Sequence, residues 1–325
     1  MVLSSLNRIF AGMKQKWILI TLVIFALTAC TSPGHEAMRQ RLKYVSDCNR
    51  ADTVFTERWL STVDSLVAFF DRHGSANERM MAHYVQGRVH HDMGEAPQAL
   101  ECYQKAAELA DTTSSDCDLY TLYAVYGQMA KLFHLQYLPD DEMQALKMAE
   151  RIAWKDQDTL SAIKAYELRV RPYYLNSRQD SMLFIMKNAR AQYLQVGDTA
   201  DAATAIYAAI SISLDNNQID NAKKWLDIYE RESGNFDEEG RLLKGKTYYY
   251  DKGRFLLAKG EINSARLFFV KALDSGLLEA GYRGLLSIYE KIRLHCQICQ
   301  AFCQRQRLQL YACQPKAGGA GSCKL

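Results

Sequence analysis

GRVHHDMGEAPQALECYQKAAELA, residues 87–110, and GRFLLAKGEINSARLFFVKALD, residues 253–274, share one spacing of small and aromatic residues. The first places Gly87, Gly94, Ala99, Tyr103 and Ala106; the second places Gly253, Gly260, Ala265, Phe269 and Ala272 at the same intervals. A small–aromatic–small series at i, i+4 and i+7 lies along one face of a helix. A glycine five residues before that series supplies a turn, and a second glycine seven residues earlier lets a preceding helix come close. Each stretch therefore reads as two helices joined at the second glycine.

This pattern resembles the tetratricopeptide repeat (TPR), a helix–turn–helix unit of about 34 residues whose copies stack on one another. The resemblance implies that the small residues let the two helices of a unit approach closely and that the aromatic fills the contact to the next unit. The looser sequence between the two stretches keeps the helical period. Residues 119–135 and 139–153 form a pair across Leu138-Pro139-Asp140, 160–175 and 180–196 a pair around Asn176, and 201–214 and 219–232 a pair across Asp215-Asn216-Asn217. Upstream, TERWLSTVDSLVAFFDRHG, ending at Gly74, is an amphipathic helix. The expected fold is all-α: a TPR-like helical-repeat solenoid of about five helix pairs plus an N-terminal helix, over residues 36–292, with units somewhat longer than 34.

The resemblance implies that the first helix of each pair lines a concave groove that holds a peptide. On that face it places Tyr84, Arg88 and His91 in the first clear unit, and Tyr250 and Arg254 in the last. A tyrosine followed four residues later by an arginine sits one turn below it on one face, and the two together suit peptide capture. Tyrosines recur at Tyr120, Tyr123 and Tyr126 and at Tyr173 and Tyr174, where helical spacing assigns them to packing. The run Tyr248 to Tyr250 cannot all face inward, so at least one of those rings is expected at the surface.

The formal net charge of +3 hides three regions. Residues 291–325 carry six Lys/Arg and no acid, and Arg8, Lys14 and Lys16 lead the chain without an acid. The remainder, 30–290, has 31 basic and 37 acidic side chains. A mildly acidic body is no nucleic-acid binder by its field. No phosphate-cradling loop, dinucleotide fingerprint or serine-nucleophile motif is present, so neither an enzyme nor a cofactor is expected. His90 occupies a packing position of the repeat and neighbouring His91 points elsewhere, so His83, His90 and His91 do not read as metal ligands. The acidic clusters Asp140-Asp141-Glu142 and Asp237-Glu238-Glu239 read as helix starts that complement the dipole. Cys102 and Cys117 are close enough in sequence for a disulfide, although helix geometry disfavours it.

MKQKWILITLVIFALTAC, residues 13–30, has the layout of an export signal: two lysines, an apolar run from Trp17 to Leu27, and small residues before Cys30. The run is too short for an ordinary membrane span. Leu27-Thr28-Ala29-Cys30 resembles the lipobox of bacterial lipoproteins, in which the cysteine becomes the first mature residue and carries acyl chains such as palmitate. Thr31 is not the aspartate of the inner-membrane retention signal. The signal is complete from Met13, and residues 1–12 add little. The expectation is a signal peptide over 1–29, a short tether over 30–35, and anchoring through Cys30 in the cell envelope, at the outer membrane.

The repeat logic breaks after Ile292. From Arg293 to Leu325 acids vanish and Gln and Cys surge. A zinc reading of His295, Cys296, Cys299 and Cys303 has workable spacing, but a slipped reading frame accounts for more. The dipeptide Cys-Gln occurs four times, at 296, 299, 303 and 313, and one base later each cysteine codon reads as Val or Ala. A suitable choice of codons turns the stretch into an amphipathic helix followed by a polar turn, the half-unit the solenoid lacks. Residues 293–325 are therefore expected to be an aberrant tail without order of its own. The functional expectation is a lipid-anchored scaffold binding a protein or peptide; the alternatives are the extracytoplasmic sensor domain of a longer signalling protein, or a glycan-binding outer-membrane lipoprotein.

Overall fold

A computed structural model describes residues 33–293. The signal segment, Cys30, and the cysteine-rich stretch from 294 to 325 lie outside the described residues. Among the described residues every regular element is a helix. In chain order they are α1 (Pro33–Arg50), α2 (Leu60–His73), α3 (Ala76–Asp92), α4 (Ala96–Leu109), α5 (Leu119–Leu135), α6 (Pro139–Lys155), α7 (Thr159–Leu168), α8 (Val170–Leu175), α9 (Gln179–Gln195), α10 (Thr199–Thr204), α11 (Ala208–Asp215), α12 (Ile219–Glu232), α13 (Thr247–Ala258), α14 (Ile262–Asp274) and α15 over 278–293. The all-α, TPR-like helical-repeat fold expected from the sequence is what the structure has. The chain divides into two compact units, parted between Arg178 and Gln179. The third expected pair falls across that boundary, α7–α8 in the first unit and α9 in the second.

Local chemistry starts and stops these helices at regular intervals. Ser75 caps α3 in a capping box: its hydroxyl accepts from Glu78 N at 3.3 Å while the Glu78 carboxylate accepts from Ser75 N at 2.8 Å. Asp118, Asp158 and Asp198 cap α5, α7 and α10, each accepting from the amide three residues on. These aspartates recur every forty residues, so the central repeat is longer than 34. Helix ends are closed by bonds from an amide to the carbonyl five residues back, as in Glu95→His90, Leu138→Phe133 and Asp198→Tyr193 at 2.9 Å each. The residue before each of those donors is left-handed. It is glycine at Gly94, Gly197 and Gly260, but Tyr137, Ser177 and Asn217 take the same conformation in the turns within the central pairs.

The small residues act as the spacing implied. A β-carbon on Gly87 would stand 2.5 Å from the Tyr103 ring, and one on Gly253 would stand 2.5 Å from Phe269. The aromatics thus fill the contact inside their own pair, and Tyr103 does not chiefly reach the next unit. Phe269 does both, because it also packs against Gly284 of α15. In the first unit Val45, Phe55, Leu66, Phe70, Met80, Val85 and Tyr103 form one buried cluster.

Several expectations are corrected. Helix α1 begins at Pro33, inside the expected tether, and adds a helix ahead of the amphipathic one over 60–73. The helix read over 160–175 is broken at Arg169, because Pro172 has no N–H for the Leu168 carbonyl. The helix read over 201–214 is interrupted at 205–207, and the amides of Tyr207, Ala209 and Ile210 each bond three residues back. Asp140, Asp141 and Glu142 open α6 as expected, and Glu142 is in addition fully buried, with His134 Nδ1 at 3.0 Å and Arg171 Nε at 2.7 Å. Asp237-Glu238-Glu239 begins no helix. It lies in the loop between α12 and α13, where Phe236 and Leu242 form a single antiparallel bridge and Asp237 accepts from Arg241 N. None of Tyr248 to Tyr250 is fully exposed. Tyr248 is buried, while Tyr249 and Tyr250 are half-buried against Phe268 and Phe269.

Candidate functional site

In the first unit the C-terminal end of α1 meets α3 and α5 around a cavity of about 370 Å³. Its floor is Tyr84, Arg88 and Gln128. Small residues on α5 keep it open, since a β-carbon added at Gly127 would meet nothing within 4 Å. At the mouth the exposed Arg50 guanidinium lies 5.8 Å from the centre of the Tyr120 ring, which is 59% exposed.

The residues expected in a groove take different parts. Tyr84 is buried, its hydroxyl accepting from Asn49 Nδ2 at 3.4 Å, and burial raises its phenol pKa. Arg88 is engaged on three sides: Nε donates to Asn49 Oδ1 at 2.8 Å, Nη1 to Gln128 Oε1 at 3.1 Å and Nη2 to Asp92 Oδ1 at 3.0 Å. The other oxygen of Asp92 accepts from Phe55 N at 3.0 Å. Arg88 therefore ties α1, α3 and α5 together under the cavity and is not a free fork for a ligand. His91 does not line the cavity. Its Nδ1 lies 3.3 Å from the Tyr103 hydroxyl, and burial, reinforced by the Arg88 charge, lowers its pKa to about 4, so it is neutral at pH 7.

In the second unit Arg254 plays the same part as Arg88. It pairs with Asp215 on α11 and, at 3.4 Å, with Asp251, and it lies over the Tyr250 ring. Asp251 is buried and accepts from Tyr207 and Ser211 at 2.8 Å each; burial pushes its carboxyl above the usual range. Both Tyr-x-x-x-Arg motifs thus knit a helix to one about a repeat away. That duty was hidden from the sequence, because every partner of the two arginines outside their own helices stands about forty residues off.

The sequence reading missed Asn49 and Arg50, which sit on the unrecognised α1, and assigned Tyr120 to packing. Only the helical spacing of α1 around Leu42, Val45 and Ser46 could have exposed the first two. Tyr123, in the same run as Tyr120, does link helices, donating to Ser161 O at 3.4 Å.

No three His, Cys, Asp or Glu side chains among the described residues stand as a metal would need. His83 pairs with Asp71 and His90 with Glu95. Cys102 and Cys117 form no disulfide; the Cys102 thiol donates to Gln86 Oε1 at 3.3 Å, and burial pushes its pKa up to about 11. The zinc reading of His295, Cys296, Cys299 and Cys303 lies outside the described residues. No described helix is long and apolar enough to cross a membrane.

No curated protein matches the sequence. Among solved structures, the apo form of the quorum sensor NprR from B. thuringiensis is similar with a TM-score of 0.59 at 13% identity, over 88% of this chain and 79% of that one. BtubC (BKLC) from P. vanneervenii is similar with a TM-score of 0.51 at 12% identity, over 89% of this chain and 98% of that one. At such identities the likeness is one of fold. Residues 82–113, holding Gly87, Gly94, Ala99, Tyr103 and Ala106, match the family profile described as tetratricopeptide repeat, and the chain carries them in a TPR-like helical-repeat fold.

Proposed function

We propose that the chain is a scaffold of the Gram-negative cell envelope, anchored by lipid on Cys30, that captures a segment of a protein or peptide at the cavity between α1, α3 and α5. Helical repeats commonly bind partners on extended concave surfaces. The observation that carries the reading is the mouth of the cavity, where Arg50 and Tyr120 present a cation and a ring to solvent above a floor already satisfied by Arg88, Asn49 and Asp92. A preorganised polar floor with an exposed aromatic–arginine rim supplies the two side chains most enriched at binding hot spots. Arg50 and Tyr120 thereby replace Arg88 and Arg254 as the contacts. No catalytic step is assigned. The stretch from Arg293 is read as translated out of frame and is given no role.

The test is a photo-crosslinking residue at position 120, with position 154 as an exposed control. A defined adduct at 120 that is lost with Arg50→Ala supports the reading. Equal labelling at both positions overturns it. The fold likeness to a quorum sensor favours a second reading, in which the repeats sense a ligand for a longer signalling chain. A long open frame in the DNA downstream of codon 292 separates that from a free-standing scaffold.

A further inference from the structure

Arg88 decides which way the polar groups of the cavity face. A guanidinium carries donors only, so the carbonyl oxygens of Asn49 and Gln128 both turn toward it, at 2.8 Å and 3.1 Å. The amide nitrogen of Asn49 is thereby aimed at Tyr84 and donates to its hydroxyl at 3.4 Å. The Tyr84 oxygen is then an acceptor, and its own proton is left over. Gln128 Nε2 is left over in the same way, and among the described residues neither group has an acceptor. The hydroxyl of Ser46, a residue 7% exposed on the wall made by α1, has no partner among them either, and its proton can turn inward. One arginine thus leaves the floor with unused donors.

The charges are already answered. Arg88 is paired with Asp92, and Arg50 stands 3.8 Å from Asp47, with the exposed Asp52 on the same lining. What fits is a neutral acceptor. An ordinary peptide brings a carbonyl and an N–H with every residue, and an N–H pressed against a donor floor loses water without gaining a partner. Proline brings the carbonyl alone. Its ring packs on aromatic faces, and the cavity offers two of them three residues apart on α5: Tyr120, 59% exposed, and the half-buried Tyr123. Ala124 and Gly127 continue that face with little or no side chain to block a strand laid along it.

We propose that the segment taken by this cavity is proline-rich and lies in it as a polyproline II helix. Its carbonyls accept from Gln128, Tyr84 and Ser46, and a proline ring rests on Tyr120. The inference rests on the reading of the cavity as a capture site and names the chemistry of what is captured. A polyproline II helix is largely formed before it binds, so little chain entropy is lost on docking.

The test is fluorescence anisotropy of dye-labelled oligoproline with the full chain, beside oligoalanine and oligoglutamate of the same length. Oligoproline should bind at least tenfold more tightly than either. Gln128→Glu still accepts from Arg88 but turns an acceptor toward the cavity, and Tyr84→Phe keeps the ring and removes the proton. In each variant the preference for oligoproline over oligoalanine should fall severalfold while helix content by circular dichroism stays the same. Failure of oligoproline to bind, equal binding of oligoalanine, tighter binding of oligoglutamate, or a preference undiminished in either variant overturns the proposal. If an Arg50-dependent adduct at position 120 still forms in that event, the capture site stands and only its chemistry falls; if no adduct forms, both fall.

Discussion

Arg88 stands where two kinds of evidence part. Its place one turn after Tyr84 suits a ligand contact, yet its guanidinium holds Asn49, Gln128 and Asp92. Removing it leaves a mostly buried carboxylate without its ion partner, and such losses cost far more than exposed pairs do. Arg88→Ala is expected to lower unfolding stability by roughly 2–3 kcal/mol, read from urea titration, where a free groove arginine would change it little. His91 gives a pH signature. Its folded pKa, about 4, lies below the unfolded value of 6.5. The unfolded chain therefore takes up a proton first as pH falls, and stability is lost between pH 6.5 and about 4. Allowing for the half-exposure of the ring, this amounts to about 1 kcal/mol at pH 5. His91→Gln should lose correspondingly less stability between pH 7 and pH 5 in parallel urea titrations.

At the scale of elements, the turns explain why the outer repeats are easy to read and the inner ones are not. Gly94 and Gly260 mark their turns in the sequence because glycine takes a positive φ without strain. Tyr137, Ser177 and Asn217 do the same work at φ near 55° and carry no such mark. Tyr137 is 76% exposed, so its side chain gains little there to offset a left-handed backbone. Tyr137→Gly should raise stability by about 0.5–1 kcal/mol, visible as a higher melting temperature; a fall would show that the ring makes a contact worth more than the strain. The buried Glu142 belongs to this scale too. It joins α6 to His134 at the end of α5 and to Arg171 on α8, a knot that a string of three acids at a helix start does not announce.

For the whole molecule, the reading that matters most is the anchor. Several acyl chains on Cys30 would bury enough methylene groups to hold the chain on a membrane. Cys30→Ala is expected to abolish labelling by a fatty-acid probe and to move the protein from the membrane to the soluble fraction. Continued labelling of the variant would refute the anchor. Helix α1 begins at Pro33, three residues beyond Cys30, and its far end supplies Asn49 and Arg50 to the cavity. On that reading α1, about 27 Å long, would stand between the anchor and the proposed site.

By itself the sequence determined the helical class, the pairing of α3 with α4, α5 with α6 and α13 with α14, and the close approach at Gly87 and Gly253. Those features are local: a helix period, a turn and a small residue opposite a ring are all written within one pair of helices. Only the tertiary structure decided what the polar side chains do. Arg88, Arg254 and Asp251 find partners about forty residues away, and the spacing of neighbours along one helix does not reveal them. The same holds for the division of the chain at Arg178 and for α15, whose Gly284 side is covered by Phe269 while Tyr282, Leu286 and Tyr289 are exposed. Which side is covered depends on the helix packed against it, and a run of leucines and tyrosines at helical spacing looks the same in either case.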